Sequence, residues 1–76
     1  MYHIIEIQTT GNISTIVQPI PFASELNEAE SIFHQKMSYA AISTVPVHSV
    51  ALLDENGLVL MNGSYKHTQE ENENEG

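Results

Sequence analysis

The stretch from Asn27 to Asp54, NEAESIFHQKMSYAAISTVPVHSVALLD, limits the fold more than any other part of the chain. It joins a helical apolar period to a strand period across a single proline. Ala29, Phe33, Met37 and Ala40 recur at spacings of three and four, with Ile32 on one flank and Ala41 on the other, the stripe of a helix that lays one face on a core. Lys36 falls at the edge of that stripe, where its stem is expected to pack and its ammonium to snorkel outward. Ser24 and Asn27 are both acceptable N-caps. Asn27 is preferred, because Glu30 then completes a capping box and both Glu28 and Glu30 lie in the first turn, where carboxylates complement the helix dipole. Val45 precedes Pro46 and is biased to extended geometry, so the helix should finish near Ser43. His48 to Asp54 then reads as a strand with Val50 and Leu52 on one face and Ala51 and Leu53 on the other.

Before the helix, Met1 to Thr10 is rich in β-branched and aromatic residues, with Tyr2, Ile4, Glu6 and Gln8 on one face and His3, Ile5, Ile7 and Thr9 on the other. Gly11-Asn12 turns the chain into a second β-branched run, Ile13 to Ile20, which Pro19 and Pro21 confine to a sheet edge or end near Gln18. After the third strand, Asp54-Glu55-Asn56-Gly57 signals a turn and Leu58 to Tyr65 a returning strand, with Gly63 marking a bulge or fraying point. The order ββαββ predicts an α+β fold, a two-layer sandwich of a four-stranded, mostly antiparallel sheet and one helix. A β-grasp arrangement, with the first and last strands parallel in the middle, is one topology that fits this order, and the strand order is left open. Residues 1–67 form one domain. From Thr68 the composition turns polar and acidic without apolar residues to bury, which reads as a disordered tail over residues 68–76.

A domain this short is near the lower limit for a lone core, and with no cysteine neither disulfides nor thiolate metal sites can supplement it. The first and third strands also carry large apolar residues on both faces, more than one helix can cover. Both facts predict a homo-oligomer, with a two-fold dimer packed through sheet faces or helix flanks preferred. The net charge of −8 opposes direct binding of DNA or RNA and of anionic membranes, and suits a basic protein partner. The chain has no apolar run of membrane-spanning length and no secretory leader pattern, so a cytoplasmic location is expected.

Chemistry is sparse. His3, His34, His48 and His67 match no ligand spacing on a single element, so no metal site is expected, although His48 beside the Pro46 corner could meet His3 across a sheet. The seven serines include none in a nucleophile elbow, and no glycine-rich phosphate loop precedes the helix. The residues therefore point to a protein without enzymatic activity or cofactor. For a binding surface the candidates are Tyr39, Pro46, His48, Tyr2, Tyr65 and Lys36, with Glu28 and Glu30 as acidic surface, because tyrosines make large amphipathic anchors.

The segments YHIIEIQT, AESIFHQKMSYAAIS, VPVHSVALLDENG and the terminal YKH before an acidic tail resemble a group of short, uncharacterised proteins encoded by phages and prophages of gut Firmicutes. The resemblance spans residues 1–67 and brings no catalytic residues. It implies a setting in the host bacterial cytoplasm and, as function, stoichiometric inhibition of anti-phage immunity. Two partners are then in view: a host defence protein whose basic groove is occupied by an acidic surface, in the manner of anti-CRISPR proteins, or an immune signalling nucleotide sequestered by an oligomeric sponge. A structural or regulatory phage protein is the third alternative.

Overall fold

The computed structural model of the chain describes residues 1–67. The expected acidic tail lies outside the described residues. The fold is α+β: strand β1 (Tyr2–Thr10), β2 (Ile13–Ile16), β3 (Phe22–Ala23), helix α1 (Leu26–Ile42), β4 (Val47–Leu53) and β5 (Val59–Lys66). Every strand pairing is antiparallel, in the order β2-β1-β4-β5, with β3 also on β1. A β-grasp topology is therefore excluded. The first strand lies beside β4, and the last strand forms an edge.

The sheet has five strands where four were expected, and the prolines explain the extra one. The second run stops at Ile16, passes Pro19 and Pro21, and returns to the same edge of β1 as the two-residue β3. β2 therefore pairs with the far half of β1 and β3 with its start, while the residues lacking an N–H donor stay off the ladder. The Pro21 carbonyl still accepts from the Ile4 N–H at 3.1 Å.

Both tight hairpins follow from their glycines. Gly11 takes φ +64°, as the first loop position of a type II′ turn requires. Gly57 takes φ +83° at the end of the β4–β5 turn. There the Asp54 Oδ1 accepts from the N–H groups of Asn56 and Leu58 at 2.8 and 2.9 Å, so the turn supplies its own local acceptor.

Helix α1 starts two residues earlier than expected, at Leu26, with Glu25 in the extended cap position and making no side-chain cap bond. The Asn27 capping box is not formed. The Ala29 N–H already bonds the Glu25 carbonyl at 3.0 Å, which draws Asn27 into the first turn and leaves Glu28 as that turn's acidic residue, with Glu30 beyond it. At the other end, the extended Ser43 before Val45-Pro46 terminates the helix where expected.

The core lies between α1 and one sheet face. Ala29 and Phe33 of the helix pack on Ile4, Val50, Leu52 and Ala23, with Tyr2, Ile32, Met37 and Met61 around them. Ile4, Val50 and Leu52 are the largest fully buried side chains, each worth about 1.5–3 kcal/mol of burial. Gly63 marks no bulge. The register shift falls between Leu52 and Leu53, and Gly63 instead lies under Met37, whose Cε would stand 2.6 Å from any Cβ there.

Candidate functional site

Two features stand out once the sheet is assembled: a buried ionic cluster beneath the helix and an apolar sheet face that the helix does not cover.

The cluster is built by register. β1 pairs with β4 so that Ile4 stands opposite Leu52, Glu6 opposite Val50 and Gln8 opposite His48, all on the helix side. Glu6 and His48 are then diagonal neighbours, and the His48 Nε2 lies 2.5 Å from the Glu6 Oε2. The other carboxylate oxygen of Glu6 lies 3.2 Å from the Lys36 Nζ. Glu6 is 7% exposed and His48 3%, and Lys36 lies across them from the helix. Burial pushes the Glu6 carboxyl up, but the hydrogen bonds from His48 and Lys36 and their charge outweigh it and hold the group below its ordinary value. The His48 Nδ1 is buried and makes no hydrogen bond among the described residues. The geometry is that of a polar lock tying β1, β4 and α1 into one register.

This arrangement corrects two expectations. Lys36 does not snorkel outward, because a buried carboxylate directly beneath the stripe attracts its ammonium inward. His48 does not meet His3, which pairs with Leu53 and sits on the opposite sheet face. Glu6 was not among the expected site residues, yet it organises the cluster. Its signal was present: it shares a face with Ile4, so a charge in that alternation had to find a partner near the core.

The other candidates scatter. Tyr2 packs against the core at the start of β1, next to Ala23 of β3. Tyr39 is 55% exposed on the helix. Tyr65 pairs with His48 and stacks on His67 with ring centroids 6.1 Å apart. The Pro46 carbonyl accepts from the His67 N–H, and the His67 Nε2 reaches the Ala40 carbonyl at 2.9 Å, so the terminal YKH segment ties down the helix C-terminus. His48, Lys36, Tyr65 and Pro46 thus gather toward one end of the sheet, and Tyr2 stands at the other.

The acidic residues also segregate. Ser24, Asp54, Glu55 and Asn56 line a polar groove with Met1 and Tyr2, which places the β4–β5 turn beside the approach to the helix and its Glu25 and Glu28. Among the described residues no three His, Asp or Glu side chains form a metal-holding group, and no helix is long and apolar enough to cross a membrane.

On the uncovered face, Ile5, Ile7 and Ala51 form the apolar floor of a shallow groove edged by Ser49, Asn62 and Ser64. No family model, curated protein or solved structure matches the chain.

Proposed function

We propose that this chain is a non-enzymatic, phage-encoded small binding protein that inhibits bacterial anti-phage immunity in the host cytoplasm by stoichiometric protein binding, with its acidic end as the contact surface. The observation that carries this reading is the placement of charge. Glu25, Glu28, Asp54 and Glu55 lie at the end where the β4–β5 turn approaches the helix start, partly offset there by the Met1 ammonium 3.1 Å from Glu55, while Glu6 is neutralised inside by Lys36. An exposed acidic end on a chain of net charge −8 steers toward a basic groove, and the resemblance to phage accessory proteins supplies the biological setting.

The test is phage plating on bacterial strains that each carry one defence system, with and without the chain. Restored plating in one strain, lost when Glu25, Glu28 and Glu55 are changed together to Gln, is the expected result. Restoration that survives all three changes overturns the acidic contact.

A nucleotide sponge is the second reading, favoured by the groove on the open face. Its apolar floor of Ile5, Ile7 and Ala51 suits the plane of a base, and Ser49, Asn62 and Ser64 offer hydrogen bonds to its edges. A rise in melting temperature with cyclic dinucleotides, abolished by Asn62→Leu, would select this reading over the first.

A further inference from the structure

We propose that the open face of the sheet seats a second copy of this chain, giving a two-fold dimer with layers in the order helix, sheet, sheet, helix. The surface is distinct from the acidic end, so this inference goes beyond the protein-binding reading above and stands or falls separately from it, whereas it competes with the nucleotide reading for the same groove.

The face is apolar over the two central strands and the β2/β3 edge, and polar along β5, where register places Asn62, Ser64 and Lys66. Ile5, Ile7, Ala51 and Leu53 occupy the two central strands and are only half-buried, and register places exposed Ile16 beside Ile7 and exposed Phe22 beside His3 at the β2/β3 edge. Against this, the largest fully buried side chains on the helix side among the described residues are Ile4, Val50 and Leu52. A domain this small gains the most from a second apolar layer.

Charge identifies the occupant. No described carboxylate stands on this face: Glu6 points to the helix side, Glu25, Glu28 and Glu30 belong to the helix and its cap, and Asp54 and Glu55 to the turn. A chain of net charge −8 repels its own copies wherever carboxylates face each other, and this is the surface where they do not. A basic partner would be drawn elsewhere on the molecule. The residues present are also self-complementary, with Ser49, Asn62 and Ser64 able both to donate and to accept across a two-fold axis.

Area is of the right size. The strands, of 9, 4, 2, 7 and 8 residues at about 3.3 Å each and a spacing of about 4.8 Å, make a footprint of roughly 475 Å² per copy. Two copies cover roughly 950 Å² before side-chain relief is added, close to the roughly 1,000 Å² that a specific interface requires. Two antiparallel sheets pack in this way about 10 Å apart, their inward side chains interdigitating.

Native mass spectrometry and sedimentation equilibrium of the full chain test the proposal. The expected mass is twice the 8.4 kDa of one chain. Ala51→Glu, at the register partner of Ile5, should weaken association about 100-fold or more by burying like charges against each other. Mixing Ala51→Glu with Ala51→Lys should restore a dimer containing one of each, a result that mere misfolding cannot produce. If either position-51 variant fails to fold, by circular dichroism, Ser49→Glu and Ser49→Lys on the same groove take their place. A wild-type chain that stays monomeric at about 100 µM overturns the proposal, whether or not it captures another protein, as does a folded Glu variant that remains dimeric.

Discussion

His48 and Glu6, 42 residues apart in the chain, share a buried hydrogen bond that Lys36 extends to the helix. Three elements distant in sequence thus meet at one carboxylate. Removing that carboxylate leaves an imidazole and an ammonium facing each other under the helix. Glu6→Ala should destabilise the fold by about 2–4 kcal/mol, the lower part of the range reflecting the partial exposure of Lys36, and urea unfolding would read it. Glu6→Gln, which keeps an acceptor but loses the charge, should cost less.

The same carboxylate makes stability depend on pH. Its folded value lies below the ordinary 4.5, so folding favours the ionised form. That contribution is fully present above the unfolded value and is lost as pH falls through the folded one. Melting temperature should therefore decline below about pH 4.5, and the part of the decline due to this group should vanish in Glu6→Gln. An equal acid limb in both proteins would show that another group is responsible.

Leu52 and Leu53 are adjacent in β4 and face opposite ways. Leu52→Ala opens a cavity against Ile4 and Val50, and should cost about 2–5 kcal/mol. Leu53→Ala should cost less in a dilute chain and act mainly on dimer association. Denaturation at two protein concentrations separates them: in the dimer, the stability deficit of Leu53→Ala should grow when the protein is concentrated.

Gly63 leaves room for Met37. A Cβ there meets the flexible end of the Met37 side chain, so Gly63→Ala should cost only about 1 kcal/mol. Gly63→Val reaches further and should cost about 2–3 kcal/mol, and Met37→Ala in the same chain should recover part of the loss, as a double-mutant cycle would measure.

His67 closes the helix end through the Ala40 carbonyl. His67→Ala should cost about 0.5–1.5 kcal/mol and raise hydrogen exchange in the last turn of α1 without altering the sheet.

The sequence by itself determined the helix, every strand but the short β3, and their faces. The period of three and four in Ala29, Phe33, Met37 and Ala40, the alternation through Ile4 and Ile5, and the opposed pair Leu52 and Leu53 are local patterns, and local geometry obeys them wherever the element sits. Only the tertiary structure decided strand order, the return of Phe22–Ala23 to the β1 edge, and the inward turn of Lys36. Each of these depends on which residues stand opposite one another across pairings tens of residues apart, and a one-residue slip of β1 against β4 would have put Glu6 and His48 on opposite faces of the sheet. The stripe and the alternation could be read because spacing encodes them. The cluster could not, because no spacing along the chain records that residues 6, 36 and 48 share one side of a sheet.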